Sequence, residues 1–392
     1  MHYLDHNATS PLRPECLAAM THALGLGGNP SSIHARGRAA RAVLEDAQAE
    51  IAALVQATAH AIVFTSGATE ALNLALGGAI EGAIDQHEAD SKVSRITRLF
   101  VSAVEHRAVL ATAQKLAERT PGLRLEILPV TGDGILDTEA LRVALREGKG
   151  RALVAVMAAN NETGAIQPIA EISRLAHEAG ALLLVDAVPA AGKIDLDAQA
   201  CDYLVLSAHK MGGPSGTGVL IVRDGAPLAA QIMGGAQQNG LRAGTENLSG
   251  IAGLGAAART LRDGAGERAR IAHLRDRFES MLKQAIPEAA IFAAAAPRLC
   301  GTSFFALPGV AAETAQIALD LDGVMVSAGS SCASGKVAAS HVLAAMGVDG
   351  AIAACAVRAS FGWDSENADV DAAIASLTKL WQRKAASAER AA

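Results

Sequence analysis

The sequence lacks an excess of positive charge, an apolar run long enough to cross a membrane, and a basic region followed by an apolar stretch near its start. Its net charge of −6 gives no electrostatic reason to bind nucleic acid or an anionic membrane. Because the apolar runs are short and interrupted, we expect no membrane-spanning segment and no signal peptide. These absences favour a cytoplasmic protein that contacts neither nucleic acid nor membrane.

Cysteines are few, and their number and spacing argue against a disulfide framework and a zinc site. There are five at wide spacings: Cys16, Cys201, Cys300, Cys332 and Cys355. Four have apolar or helical neighbours and are predicted to be ordinary thiols. Cys332 instead lies in Ser327-Ala-Gly-Ser-Ser331-Cys332-Ala-Ser-Gly335, where small residues favour an exposed loop. A thiol with a pKa of about 8.5 is there partly a nucleophilic thiolate at neutral pH. An incidental loop cysteine has the same pattern.

The arrangement of apolar residues predicts an α/β fold. Hydrophobic residues make up 51% of the chain and charged residues 19%, which excludes disorder. From about 36 to 222, helical periods alternate with short apolar runs, as in a mostly parallel sheet covered by helices. A long helical stretch, about 246–286, then leads into a shorter mixed part. We predict a large domain over 15–262 and a smaller α+β domain made of 1–14 and 263–392, which carries Cys332.

Two apolar runs end in residues that pyridoxal phosphate chemistry requires. The run Tyr203-Leu-Val-Leu-Ser207-Ala-His209-Lys210 places a lysine at the edge of a buried sheet, where its amine is partly desolvated. Asp186 ends another run at a similar strand end. A lysine can form a Schiff base with this cofactor, and a carboxylate can pair with its pyridinium nitrogen. A surface lysine and a helix-capping aspartate are the alternative.

Two further segments fit the phosphate and the ring of such a cofactor. Thr65-Ser-Gly-Ala-Thr69-Glu reads as a strand end, a small-residue turn and a helix start, whose free backbone N–H groups bind a phosphate dianion. Ser207 offers another hydroxyl. His106, at a strand end, can stack on a ring and exchange protons. Helix capping explains the hydroxyl residues and the histidine equally well.

Two other polar residues suit a substrate. The turn Asn160-Asn161-Glu-Thr-Gly164 carries amides that can donate to a phenolate oxygen or a carboxylate, although Asn is also a common turn residue. Arg358 lies in an otherwise apolar strand, where its charge needs a partner. A substrate carboxylate is one bidentate partner, and an internal salt bridge is the other.

With these residues in order, the chain resembles the cysteine desulfurases of the NifS/IscS type, which are pyridoxal-phosphate enzymes of the class V aminotransferase family with an aminotransferase-like, type I fold. The resemblance runs nearly end to end. Besides the segments above, it includes Tyr3-Leu-Asp-His-Asn-Ala-Thr-Ser-Pro11, Gly28-Asn-Pro-Ser-Ser32 and Leu241-Arg-Ala-Gly-Thr-Glu-Asn247.

The resemblance implies a role for each site residue. Lys210 would bind the cofactor covalently and carry protons, Asp186 would keep the pyridine nitrogen protonated, and His106 would stack on the ring and act in acid–base steps. Cys332 would take sulfur from L-cysteine as a persulfide, releasing alanine, and pass it to an iron–sulfur scaffold or sulfur carrier. Phosphate would be held by Ala68, Thr69, Ser207, His209 and Thr245, the last from the partner in a homodimer. Asn161 and Arg358 would hold the substrate carboxylate.

Two departures from the family pattern leave alternatives open. Family members usually carry glutamine three residues after the pyridinium aspartate, where this chain has Pro189, which has no side-chain donor. Gln238 and Asn239 stand where a Glu-Arg pair is common. A related lyase acting on selenocysteine, cystine or another amino acid would not need Cys332. A non-catalytic paralogue would not bind the cofactor.

Overall fold

The computed structural model describes residues 1–90, 95–328 and 340–391. Cys332 therefore lies outside the described residues. The strands are β1 His2–Tyr3, β2 Ile62–Thr65, β3 Ile96–Ser102, β4 Arg124–Leu128, β5 Arg151–Met157, β6 Leu182–Asp186, β7 Tyr203–Ser207, β8 Gly218–Val222, β9 Ala290–Ile291, β10 Thr302–Ala306, β11 Val324–Met325, β12 Ser327–Ala328 and β13 Ala356–Ser360. The α-helices are α1 Pro14–Leu26, α2 Ala35–Val55, α3 Ala68–Ala89, α4 Arg107–Arg119, α5 Thr138–Arg146, α6 Ile169–Glu178, α7 Leu248–Asp263, α8 Ala265–Ala285, α9 Ala312–Leu321, α10 His341–Ala345, α11 Gly350–Ala353 and α12 Asn367–Ala391.

Seven strands form one sheet in the order β2-β8-β7-β6-β5-β3-β4. The five strands β7, β6, β5, β3 and β4 run parallel to one another, and β8 runs antiparallel to both of its neighbours. Every residue of β6 and β7 is buried, as expected for strands covered on both faces. The apolar runs of the sequence therefore became the inner strands of a mostly parallel sheet.

Helices cover both faces of this sheet, and alternate residues of one strand face opposite layers. Leu183 and Val185 of β6 pack in a core that includes residues of α2 and α7. Leu182 and Leu184 pack on the other face, in a core that includes residues of α3 and α4. Burial of these large side chains holds the strand ends at fixed positions, which is what a site at the sheet edge requires.

A third core lies around the smaller sheet, whose order is β12-β13-β10-β9 with antiparallel pairing. Phe278 of α8, Phe305 of β10 and Val357 of β13 are buried there. Leu4 from the start of the chain belongs to the same core, and β1 pairs with β11. The predicted division after residue 262 falls at the last turn of α7.

The carboxyl ends of the parallel strands meet at one edge of the large sheet. Asp186 is the last residue of β6 and Ser207 is the last residue of β7. Because these two strands are parallel neighbours, both residues lie at the same edge of the sheet. His106 follows β3, the strand that pairs with β5. In an open α/β sheet this edge is where ligands bind. Within the described part of the chain, none of the helices is both long enough and apolar enough to span a bilayer.

Candidate active site

A cavity of about 500 Å³ opens at this edge of the sheet. The predicted site residues that line it are Ala68, Thr69, His106, Asn161, Asp186, Ser207, His209, Lys210 and Arg358. Pro189 lines it as well. Segments far apart in sequence thus bring the predicted lysine, acid, histidine and arginine around one space.

Lys210 lines the cavity, and its amine donates hydrogen bonds to neighbouring acceptors. It ends a short 3₁₀ turn, Ala208–Lys210, directly after β7. Its Nζ donates to the backbone carbonyl of Asn7 and, at 3.3 Å, to Oδ1 of Asn161. The side chain is half-buried rather than free on the surface. Asn7 itself is buried and donates through Nδ2 to Thr302 Oγ1 at 2.9 Å, a role that its sequence position did not reveal.

Asp186 forms the floor of the cavity as a buried acid. It is 5% exposed, and its Oδ1 accepts a hydrogen bond from the backbone N–H of Val188 at 3.0 Å. Burial raises the pKa of Asp186 to about 6, while the Val188 N–H and the charge of Lys210 act in the opposite direction. Because water stabilises the charge of this buried carboxylate only weakly, the carboxylate can pair strongly with a cation that enters the cavity.

A second buried acid, Glu105, stands behind Asp186 and was not predicted. It is fully buried, and its Oε1 accepts from the backbone N–H of Met157 at 2.7 Å. Burial, and then the nearby Asp186, raise the pKa of Glu105 well above its usual value. When two acids are buried side by side, ionisation of both is unfavourable. Ionised Asp186 therefore destabilises the ligand-free protein.

We expect Asp186→Asn to raise the free energy of unfolding of the ligand-free protein at pH 8 by about 1–3 kcal/mol. The folded-state pKa lies above the unfolded value, so the buried carboxylate costs stability as pH rises through about 4 to 6, and the full cost is present above pH 6. Urea unfolding of wild type and variant at pH 5 and pH 8 measures the difference. Asp195→Asn, whose side chain is 90% exposed, is the control. An equal loss of stability at both pH values would contradict the burial cost.

His106 caps the start of α4 and also lines the cavity. It precedes α4 as its N-cap residue, and its Nδ1 accepts from the backbone N–H of Ala108 at 3.1 Å. The capping alternative is therefore realised, although the ring also lines the cavity. Burial, and then the charge of Lys210, lower the pKa of His106, so the imidazole is neutral at pH 7. Burial and Lys210 likewise lower the pKa of His209 to about 4.

The start of α3 forms an anion cradle on another wall of the cavity. Gly67 is the N-cap residue and makes no side-chain cap, so the first backbone N–H groups, at Ala68 and Thr69, face a cavity. A Cβ added to Gly67 would meet nothing within 4 Å, which shows open space above the helix end. A Cβ on Gly218 of β8 would lie 2.5 Å from the Gly67 carbonyl carbon, so glycine is required there for the close approach.

This donor set fits pyridoxal 5′-phosphate. The helix end, with the Ser207 hydroxyl and His209 close by, suits a phosphate dianion, and Asp186 suits a protonated ring nitrogen. Lys210 supplies the amine. A separate test is geometric: the cradle, the acid and the amine all line one cavity of about 500 Å³, the size of an ordinary small-molecule site.

Arg358 forms an internal salt bridge and still lines the cavity. It is 1% exposed, and its Nη2 donates to Asp5 Oδ1 at 2.7 Å and to Ser327 Oγ at 3.1 Å. Its Nη1 donates to the backbone carbonyl of Asn161 at 3.2 Å. The internal partner left open by the sequence is therefore present, and Asp5 is a second acid that sequence reasoning missed.

Of the predicted site residues that the structure describes, Thr245 does not line this cavity. Cys332 lies outside the described residues. Thr245 is exposed and lines a neighbouring cavity of about 90 Å³, which shares Ser66 and Gly216 with the main one. The departure at Gln238 has a local role, because its Oε1 accepts from the backbone N–H of Phe64 at 2.9 Å.

Comparison with known proteins agrees with this geometry. Residues 2–373 match the family model described as Aminotransferase class-V. A cysteine desulfurase of Cereibacter sphaeroides is 42% identical over 94% of this chain and 92% of the relative, and an IscS-like cysteine desulfurase of Mycobacterium tuberculosis is 39% identical over 95% and 94%. A NifS-like protein from Rickettsia africae superposes with a TM-score of 0.86 at 29% identity, over 97% of this chain and 99% of that one.

These matches confirm the predicted α/β fold and the resemblance to proteins of the NifS/IscS type. The family model, over residues 2–373, spans all three sheets and every residue that lines the main cavity. The chain belongs to the aminotransferase class-V family of enzymes that depend on pyridoxal 5′-phosphate.

Proposed function

We propose that the protein is a cysteine desulfurase, which converts L-cysteine to L-alanine and transfers the sulfur to Cys332 as a persulfide. The observation that carries the proposal is the meeting of Lys210, Asp186 and Arg358 around one cavity at the strand ends. An amine, a buried acid and a guanidinium are what a reaction on an amino acid needs there. The curated relatives at about 40% identity that are named cysteine desulfurases support the choice of substrate.

The predicted site residues in the cavity have defined tasks. Pyridoxal phosphate, when bound, supplies a ring that withdraws electrons from the substrate carbons. The N–H groups of Ala68 and Thr69, with Ser207 and His209, hold the phosphate, and Asp186 keeps a proton on the ring nitrogen. Lys210 carries a proton to and from the α-carbon of the substrate.

His106 and Asn161 complete these steps. His106 is neutral at pH 7, and because its Nδ1 accepts from the Ala108 N–H, its proton is on Nε2, from which it can be donated in the acid–base steps at the substrate. Because Asn161 Oδ1 accepts from Lys210, its Nδ2 is the atom turned to donate. That donor serves the phenolate oxygen of the cofactor in the place of the glutamine that Pro189 replaces. Arg358 binds the substrate carboxylate while Asp5 and Ser327 hold its guanidinium in place.

The sulfur step balances without an oxidant. The Cys332 thiolate forms an S–S bond to the substrate sulfur as the C–S bond of the substrate breaks. The electron pair of that bond stays with carbon, which takes a proton and becomes the methyl group of alanine. L-cysteine and one thiol therefore give L-alanine and one persulfide.

The assembly and the acceptor belong to the same proposal. We infer, from the resemblance to the NifS/IscS type, a homodimer in which Thr245 of each subunit adds a phosphate ligand to the other. Thr245 is exposed and lies outside the main cavity of its own chain, which is compatible with that role. The persulfide passes to an acceptor protein such as an iron–sulfur scaffold or a sulfur carrier. A cytoplasmic location stays a prediction.

The test is a sulfur balance without reductant. Enzyme loaded with cofactor and mixed with L-cysteine is expected to release about one alanine per subunit and to carry one added sulfur on the peptide that contains Cys332. Mass spectrometry locates the sulfur, and the Cys300 peptide serves as the internal control. Release of pyruvate and ammonia, or continued turnover with no sulfur on Cys332, would indicate the related lyase instead.

A further inference from the structure

The chain returns to the described structure at Ser340, and there it is tied to an acid. Ser340 Oγ donates to Glu162 Oε2 at 2.5 Å and accepts from the backbone N–H of Leu343 at 3.1 Å. Ser340 is 3% exposed and Glu162 is 9% exposed. The hydroxyl therefore both caps α10 and bonds to a buried carboxyl of a different segment.

Glu162 directly follows Asn161, which lines the main cavity, in a hydrogen-bonded turn. Its backbone N–H donates to Asn160 Oδ1 at 2.8 Å, and the side chain of Asn160 in turn donates to the Val104 carbonyl at 3.1 Å. The next residue after Ser340 is also tied to the site, since His341 Nε2 donates to the backbone carbonyl of Glu105 at 2.9 Å.

A small cavity of about 40 Å³ adjoins the main one, with which it shares His106, Met157 and Asn161. Glu162 lines this cavity, and so do the charged or titratable residues Glu105, His106, Arg107 and His341. Burial raises the pKa of Glu162 to about 7, and the Ser340 hydrogen bond is the largest of the contributions that oppose the shift, followed by the charges of Arg358 and Arg107. Ser340 is thus a direct hydrogen-bond partner of Glu162 that favours its ionised form.

The chain that leads away from the described structure at residue 328 is tied to the same site. Ser327 Oγ donates to Asp5 Oδ1 at 2.8 Å and accepts from Arg358 Nη2. The described residues on both sides of 329–339 are therefore hydrogen-bonded to groups that hold or adjoin the Asn161–Arg358 pair. That interval contains Cys332.

We propose that the hydrogen bond between Ser340 and Glu162 fixes the point at which the chain that carries Cys332 joins the site, and so positions that chain for sulfur transfer. By fixing Ser340 next to Asn161, Glu162 fixes the attachment of the Cys332 segment relative to the bound substrate carboxylate. The proposal rests on the proposed desulfurase function, and it makes Glu162 and Ser340 positioning residues. A misplacement of about 1 Å between reacting groups can cost about a hundredfold in rate.

The test compares variants that break or keep this one bond. Glu162→Leu removes the acceptor but leaves the Ser340 cap on α10, and Ser340→Ala removes the donor. Glu162→Gln keeps an oxygen for Ser340. Ser376→Ala is the matched control, because Ser376 is also buried and its Oγ donates to the carboxylate of Asp322 at 2.9 Å, in another part of the fold.

The main readout is the rate of persulfide formation on Cys332 in a single turnover, with the KM for L-cysteine and the affinity of the cofactor-free protein for pyridoxal phosphate measured beside it. We expect Glu162→Leu and Ser340→Ala to slow persulfide formation by about 10- to 100-fold. Cofactor affinity and KM stay close to wild type in both. Glu162→Gln and Ser376→Ala are expected to keep the wild-type rate.

Wild-type rates in both Glu162→Leu and Ser340→Ala would overturn the proposal, as would a slow Glu162→Gln. A slow rate accompanied by an equal loss of cofactor affinity would overturn it too, because it would show general damage to the site. Failure of the proposed function is seen separately. In that case wild type itself forms no persulfide on Cys332, before any variant is compared.

Discussion

Replacing Cys332 with alanine is expected to abolish persulfide formation and to lower alanine production from L-cysteine by about 10³-fold or more. The reason is that no other cysteine stands ready to take the sulfur. The described cysteines are Cys16, Cys201, Cys300 and Cys355, and none of these four lines the main cavity. Removal of Cys332 therefore removes the acceptor without a substitute.

The chemistry of the remaining thiols points the same way. Burial raises the pKa of Cys16 to about 11 and that of Cys201 further, so neither is a thiolate at neutral pH. Burial also raises the pKa of Cys300, although that residue is only partly enclosed. Cys300→Ala is the matched control and is expected to keep wild-type turnover. A Cys332→Ala enzyme that still releases alanine at the wild-type rate would move the protein to the lyase class.

Most of the large sheet could be predicted from the sequence because strands buried on both faces are continuous apolar runs. The run that ends at Asp186 became β6, and the run from Tyr203 to Ser207 became β7. The direction of β8 could not be predicted from composition, since its residues are as apolar as those of its parallel neighbours. The connection 208–217 decides it, because ten residues are too few for the helical crossover that parallel pairing requires.

The candidate site shows a different limit. For His106 and Arg358 the sequence left a structural and a functional role as alternatives. In the structure His106 caps a helix and Arg358 pairs with Asp5, and both residues also line the cavity. An imidazole has two nitrogens and a guanidinium five N–H groups, so one contact does not use the whole group. The sequence pattern cannot express that both roles are filled together.

Asn7, Asp5 and Glu105 were missed for a related reason. Asp5 reaches the site because residues near the start of the chain pair with β13, where Asp5 bridges to Ser360. Contacts across more than 350 residues leave no periodicity to detect. Glu105 is hidden by its neighbour His106, since a glutamate after a strand reads as a solvated residue until the fold buries it completely.

Replacing Lys210 with methionine is expected to lower turnover of L-cysteine by about 10²–10⁴-fold, the range for loss of a positioned acid or base. Lys193→Met is the matched control. Lys193 donates to the same residue, Asn7, at Oδ1 (3.3 Å), but it does not line the main cavity. We expect Lys193→Met to keep most of the turnover, because the reacting proton moves at the Nζ of Lys210 alone.

The same variant has a second effect that needs no substrate. The charge of Lys210 is the second cause, after burial, of the low pKa values of His106 and His209. Removing that charge should raise both pKa values in the ligand-free protein, while burial keeps them below the ordinary histidine range. NMR titration of the two imidazoles measures the shift. Unchanged pKa values together with lost turnover would mean that the amine of Lys210 does not lie against these histidines, and the arrangement proposed for the proton steps would then be wrong.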